Sequence, residues 1–313
     1  MKSILIIIDY FGKWPEWMPI FLASCEANPT VNWLIHTDCS IPEKHPENVS
    51  FSAISLSDYY RRVSRILGIN FNPPNTYKLC DLEPFYGILY SKEIKRFDYY
   101  GYGDIDVVYG NIRHFYTDEV LRHNVVSTHD YFVSGHLALF KNIRRTRKAF
   151  RLLPKWKERL EDPNYVSLNE FGLTEIFKRP EIVSRETRNR MPLMSVCFEL
   201  WFDLTRLRHA LCWRNNYLVE QYTTPFIHIT WHDGTMNHPD TWYWQNGRLT
   251  NGKDGDREFI YLHFMNFKYP RYMHPVFGTV APWKNLPRLL NFDPKDRGTG
   301  RIRIDKKGFH LEK

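Results

Sequence analysis

No stretch of this chain approaches the roughly 18 consecutive apolar residues of a membrane-spanning helix, so the sequence offers no spanning segment. Cysteine is sparse and scattered. Cys25, Cys39, Cys80, Cys197 and Cys212 are odd in number and form no CxxC pair, which points to neither a zinc cluster nor a disulfide framework. A reducing cytosol is the expected compartment. Internal repeats and low-complexity blocks are missing, and no recognisable nucleic-acid-binding motif is present. Met1-Lys2-Ser3 followed by Ile4–Ile8 has only five apolar residues, ends at Asp9 and lacks a small-residue cleavage site. That reads as a buried first strand, not a signal peptide.

What is present is a chain of 313 residues, a length that suits one large domain or a domain with a subdomain. Aromatic residues reach 16%, more than a core alone requires, and excess Tyr and Trp suit sugar-binding or interfacial surfaces. The formal net charge of +8 favours anionic partners such as nucleoside diphosphates, an acidic membrane surface or nucleic acid.

The segment Phe97-Asp98-Tyr99-Tyr100-Gly101-Tyr102-Gly103-Asp104-Ile105-Asp106-Val107-Val108-Tyr109-Gly110 carries the most chemistry. On an extended strand, residues two apart share a face. Asp104 and Asp106 are therefore expected to offer oxygens to one hard cation, with Ile105, Val107 and Val108 burying the strand. A divalent ion held by one or two carboxylates keeps positions open for phosphate oxygens.

Around this segment the order of elements predicts an α/β fold. Strands are expected at Ile4–Ile8, Val31–His36 and Val49–Ile54, and helices at Glu16–Ala27 and Ser57–Leu67, the latter with Ser57 as cap. A long helical stretch over 78–97 leads into the acidic strand. Open α/β sheets bind ligands beyond the carboxyl ends of their strands, where Phe11-Gly12, Asp38 and Asp104/Asp106 all fall. Further on, Ile143–Leu160 reads as a basic helix, and Tyr243–Leu249 as a hairpin turning at Asn246-Gly247. Phe259–Leu262 reads as a buried strand leading into His263. Residues 180–255 are less regular, and a basic tail follows.

Several short features occur in a fixed order: Tyr10-Phe11-Gly12-Lys13-Trp14-Pro15, Thr37-Asp38, Lys78-Leu79-Cys80-Asp81, Gly-Tyr-Gly-Asp-Ile-Asp ending at Asp106, Gly135-His136, Asn169-Glu170 and Leu262-His263-Phe264. In this combination the chain resembles bacterial GT-A glycosyltransferases with a DxD motif, especially those of surface-polysaccharide (O-antigen or capsule) biosynthesis. The resemblance covers roughly residues 1–275. It implies a GT-A-like mixed sheet of Rossmann type flanked by helices, with a donor half at about 1–115, an acceptor half at about 116–275 and a basic tail over 276–313.

The resemblance also implies roles. Tyr10, Phe11 and Gly12 approach the base and ribose of a nucleotide sugar, and Asp38 the base or ribose edge. Lys78 and Asp81 lie beside the diphosphate and sugar, which Lys268 also reaches. Asp104 and Asp106 hold Mn2+ or Mg2+, with His263 as third ligand; an imidazole tilts the choice toward manganese. The candidate catalytic residues are Asp106, Asn169 and Glu170, the amide at 169 replacing one member of an acidic pair. Gly135 and His136 shape the acceptor site.

The expected function is metal-dependent transfer of a hexose from a UDP-sugar to a lipid-linked surface glycan, with retention preferred. The expected location is the cytoplasmic membrane face, reached through the basic segment Arg144–Lys157 and the basic tail. No nucleic-acid partner is expected. Single-stranded nucleic-acid binding and metal-dependent phosphohydrolase or nucleotidyltransferase chemistry are the alternatives.

Overall fold

Five aliphatic residues in succession suit a strand covered on both faces, and Ile4–Asp9 (β1) occupies the middle of the main sheet. A computed structural model describes residues 1–225, 238–268, 300–305 and 307–312. β1 runs parallel to β2 (Val31–Thr37), which runs parallel to β3 (Val49–Ala53). On its other side β1 is parallel to β4 (Tyr99–Gly103). The chain then forms β5 (Val107–Tyr109), β6 (Val125–Ser127), β7 (Leu137–Lys141) and β8 (Asn216–Leu218). The seven-stranded order is β3-β2-β1-β4-β7-β6-β8, with β7 antiparallel to both β4 and β6. The fold is thus a mixed α/β sheet flanked by helices.

β5 belongs to neither end of that sheet. It pairs antiparallel with β11 (Tyr261–His263), placing His263 opposite Val107. The remaining strands are β9 (Thr241–Gln245), β10 (Arg248–Asn251), β12 (Arg301–Asp305) and β13 (Gly308–Glu312), which form a second sheet in the order β10-β9-β12-β13. The β9–β10 turn is the predicted Asn246-Gly247, both with positive φ as a type I′ turn demands. Over Arg301–Asp305 and Gly308–Glu312 the basic tail of the sequence reading is therefore paired strand; residues 276–299 lie outside the described residues.

Helix α1 (Met18–Glu26) is slightly shorter than expected. Helix α2 (Leu56–Leu67) is capped by Ser55, not Ser57: the Ser55 hydroxyl accepts the Asp58 N–H, and Gly68 closes the helix in the left-handed region. The long helix expected over 78–97 is instead a 3-10 helix (Thr76–Phe85), a short α-helix (Tyr86–Leu89) and another 3-10 turn (Glu93–Arg96). Pro84, which supplies no N–H, sits inside the first of these. The basic helix expected over Ile143–Leu160 is likewise broken, into Arg144–Arg147, Ala149–Leu152 and Trp156–Glu161, around Pro154 and the positive φ of Lys155. Residues 180–213 are more regular than expected and carry three helices, Arg185–Arg190, Pro192–Thr205 and Leu207–Trp213. Among the described residues, no helix is long and apolar enough to cross a membrane.

Much of the aromatic excess is core. Trp33, Trp242, Tyr59, Tyr90, Tyr99, Tyr102, Tyr109 and Tyr261 are fully buried. The Trp33 indole N–H and the Tyr109 hydroxyl have no hydrogen-bond partner among the described residues, whereas other polar tips find internal acceptors: the Tyr102 hydroxyl donates to Ser134 O at 2.8 Å, and the Tyr99 hydroxyl to His123 O at 2.8 Å. Burying a tyrosine this way keeps its apolar ring area without leaving a polar group unsatisfied.

Candidate functional site

Asp104 and Asp106 do not lie on a strand. β4 ends at Gly103 and β5 begins at Val107, so the two carboxylates occupy the bend where the chain leaves the main sheet. Backbone hydrogen bonds fix that bend. Asp104 N–H donates to His136 O (3.3 Å), and Phe264 N–H donates to Asp106 O (3.2 Å). The Trp17 indole N–H donates to Ile105 O (3.1 Å), while its ring meets Phe264 edge-on. The convergence expected of a strand face is produced by a pinned bend.

β11 completes the cluster. His263 Nε2 lies 3.5 Å from Asp106 Oδ2 and 3.9 Å from Asp104 Oδ2. One ligand atom from each of the three residues fits within 4.8 Å of the others. The other ring nitrogen, Nδ1, is 3.3 Å from Thr224 Oγ1, and His263 N–H donates to Thr223 O at 2.8 Å. An outer hydrogen bond of this kind orients a ligating imidazole. Two carboxylates and one imidazole form a donor set that fits Mn2+ or Mg2+ with open coordination positions.

Behind His263 runs a buried polar chain. The His136 ring centroid is 4.1 Å from that of His263. His136 Nδ1 is 2.6 Å from the Tyr261 hydroxyl and 3.1 Å from Ser134 Oγ; its Nε2 is 3.3 Å from both His129 Nε2 and Thr224 Oγ1. His129 Nδ1 in turn meets Glu220 Oε2 at 2.8 Å. Burial, then His263 and His129, hold the His136 imidazole well below its ordinary pKa, so it is neutral at pH 7. His136, expected at the acceptor site, is buried with both nitrogens engaged inside the protein.

Further carboxyl groups lie near Asp104. Glu83, Asp104, Asp81 and Glu170 all bear electrostatically on the Cys80 thiol. Burial pushes the Glu170 carboxyl above its usual range, against opposing pulls from His129, Ser167 and the Gly135 backbone. Gly135 is glycine for a steric reason: a Cβ there would fall 2.7 Å from Glu170 Oε1 and 3.1 Å from Asn169 Nδ2. Glu83 was not foreseen. Burial first, then the nearby Asp104 carboxylate, raise its carboxyl well above the usual range, while the Asn169 side chain hydrogen-bonds it. Glu83 Oε2 has no hydrogen-bond partner among the described residues.

Lys78 and Asp81 are buried and ion-paired at 3.1 Å. Lys78 Nζ also donates to Arg159 O (2.8 Å) and Asn164 O (2.7 Å), and Asp81 accepts the N–H groups of Val166 (2.9 Å) and Leu168 (2.6 Å). Both side chains are thus engaged in holding the segment that presents Asn169 and Glu170. That segment is a single π-turn, Leu168–Gly172, entered through a positive φ at Ser167.

At the end of β1, Gly12 N–H donates to the exposed Asp38 carboxylate at 2.7 Å. Gly12 has φ +109°, a conformation side chains resist. Tyr10 stacks on Trp14 with ring centroids 5.3 Å apart, and Phe11 is buried against Tyr59. The side chain of Lys268 lies outside the described residues.

A model of a family of unknown function, DUF6625, matches residues 6–277. The chain belongs to that family. No curated protein matches it. Among solved structures, the apo form of mouse xyloside xylosyltransferase 1 is similar over 51% of this chain and 72% of its own, at 9% identity and a TM-score of 0.32. The glycosyltransferase GlyE of Streptococcus pneumoniae TIGR4 is similar over 65% of this chain and 52% of its own, at 10% identity and a TM-score of 0.32.

In this DUF6625 chain the sequence reading missed Glu83, His129, Glu220, Thr224 and Tyr261. Glu83 had a local signal: in a 3-10 helix, residues three apart eclipse, which stacks Glu83 over Cys80 and Asp81 over Lys78. The others are assembled by sheet pairing alone. β6 and β8 run side by side, and the segments leaving them bring His129 to Glu220.

Proposed function

We propose that the chain is a metal-dependent glycosyltransferase that moves a hexose from a UDP-sugar, of the UDP-galactose or UDP-glucose type, to a lipid-linked surface glycan. One observation carries the reading: Asp104, Asp106 and His263 converge at the carboxyl end of β4, beside the loop that follows β1. Ligands in open α/β sheets bind at such strand ends. Asp104, Asp106 and His263 would hold the divalent ion, which when bound offsets negative charge on a departing nucleoside diphosphate. Asp38 fixes the Phe11-Gly12 loop for the base and ribose, with Tyr10 and Trp14 as a flat surface beside it. Glu170 hydrogen-bonds the acceptor hydroxyl. Burial raises its carboxyl above the usual range. Retention is preferred, the leaving phosphate oxygen taking the acceptor proton.

The test is UDP release from UDP-glucose and UDP-galactose with manganese, in wild type, Asp106→Ala and His263→Ala. Losing a metal ligand is expected to lower kcat/KM by roughly 100-fold or more, as loss of several kcal/mol of charge stabilisation requires, and chelator is expected to stop turnover. Turnover indifferent to both chelator and Asp106→Ala would end the metal reading. The carboxylates gathered near Asp104 favour one other reading, a metal-dependent phosphohydrolase. Product analysis separates the two: UDP with transferred sugar in one case, UMP or a sugar phosphate in the other.

A further inference from the structure

The helices over 185–213 are built inside out. Among the described residues, ten of the sixteen exposed large hydrophobic side chains fall between 191 and 211. On the helix Pro192–Thr205, Leu193, Leu200 and Leu204 recur along one stripe, and Leu193 and Leu204 are 78% and 71% exposed. Trp201, beside that stripe, is 60% exposed. The polar side chains of the same helix take the opposite face. Ser195 is buried, Glu199 pairs with Arg188 (2.8 Å) and Arg179 (3.4 Å), and Asp203 pairs with Arg179 (3.1 Å). A water-facing helix normally shows the reverse arrangement.

We infer that this face is a docking surface for an anionic phospholipid bilayer. Charge complementarity selects the occupant. Exposed arginines bracket the apolar stretch, Arg185 and Arg190 before it and Arg206, Arg208 and Arg214 toward its end, and the whole chain carries +8. A second copy docked about a two-fold axis would bring one arginine-flanked patch against another, since such an interface uses the same patch twice. Anionic headgroups complement them, while leucines and an interfacial tryptophan enter the acyl boundary. This moves membrane contact from the expected Arg144–Lys157 segment to the 185–214 segment.

The surface joins the site at both ends. The helix Leu207–Trp213 packs near Leu173–Phe177, which continues directly from the turn bearing Glu170; Arg206 faces Glu175 at 4.0 Å. After this segment, β8 leads to Glu220 and Thr224, which touch His129 and His263. The inference stands without the transferase reading. If that reading holds, a lipid-linked acceptor reaches Glu170 from the docked side.

The experiment is co-sedimentation of the full chain with vesicles of phosphatidylcholine containing about one-quarter phosphatidylglycerol, against phosphatidylcholine alone. Binding to the anionic vesicles is expected to be about tenfold tighter and to weaken as salt rises, each arginine near the surface adding to the attraction. Leu200→Gln with Leu204→Gln is expected to cut binding about tenfold with an unchanged far-UV circular dichroism spectrum. Arg185→Gln with Arg208→Gln, which leaves the apolar face intact, is expected to remove most of the preference for anionic lipid. Failure of wild type to sediment with anionic vesicles overturns the inference. So does full binding by both double variants, or a wild-type dimer in light scattering that the leucine variant dissolves. None of these outcomes depends on donor turnover.

Discussion

Glu83 is a buried carboxyl close to the Asn169-Glu170 pair. The sequence puts an amide where a second carboxyl was expected, and the structure sets the Glu83 carboxyl against that amide. Tyr165 already donates to Asn169 Oδ1 at 2.8 Å, which leaves the Asn169 NH2 as the end free to donate elsewhere. Burial and the neighbouring carboxylates keep Glu83 protonated well above the usual range. The unfolded carboxyl titrates near about 4.3, so above that pH the native state binds more protons than the unfolded state. Stability then falls with rising pH until the folded group itself ionises. Glu83→Gln mimics the neutral acid and removes that slope. In chelator, urea denaturation is expected to find the variant equal to wild type near pH 4.5. At pH 8 it should be more stable, by on the order of 1 kcal/mol, the scale of one buried polar group relieved. A variant less stable than wild type at pH 8 would contradict the assignment.

The Lys78–Asp81 clamp shows how a short element controls a remote one. Four hydrogen bonds from one ion-paired 3-10 turn hold residues 159–168, and the catalytic candidates follow at once. Lys78→Met leaves the Asp81 charge buried without its cation. Removing one partner of such a pair costs about 3–5 kcal/mol, which urea denaturation will measure. Hydrogen exchange is expected to speed up at the Val166 and Leu168 amides; unchanged protection there would show that the clamp holds nothing. Elements with one dominant local signal were legible in the sequence. The aliphatic run of β1 and the Asn246-Gly247 turn are examples, since burial pattern and turn chemistry agree with the fold. The 78–97 and 143–160 stretches were not, because helical periodicity persisted across Pro84 and Pro154 while the backbone broke there. The outward-facing helix Pro192–Thr205 was also unread. An amphipathic pattern gives the width of an apolar face but not whether that face looks inward.

At the scale of the whole molecule, the candidate metal residues were legible, Asp104 and Asp106 from their spacing and His263 through the resemblance, but the backbone geometry that gathers them was not. The spacing of Asp104 and Asp106 suggested two carboxylates on one strand face; the chain brings them together instead at a bend between two sheets, beside a histidine more than 150 positions away. A ligand that binds only the native state stabilises it by about 2.7 kcal/mol at 100 times its Kd. Millimolar manganese is therefore expected to raise the Tm of wild type by several degrees, and calcium to raise it less, the imidazole favouring the transition metal. His263→Ala is expected to lose most of the manganese shift in differential scanning fluorimetry. An equal shift in that variant would place the ion elsewhere.

The pairing of β5 with β11 also sets an order of events during synthesis. Both aspartates leave the ribosome long before His263 does, while the early strands are already free to associate. A nascent chain thus carries the two carboxylates without the imidazole, which joins them only when Tyr261–His263 pairs with Val107–Tyr109. On the proposed metal reading, the complete ligand set therefore exists only once that small late ribbon has closed.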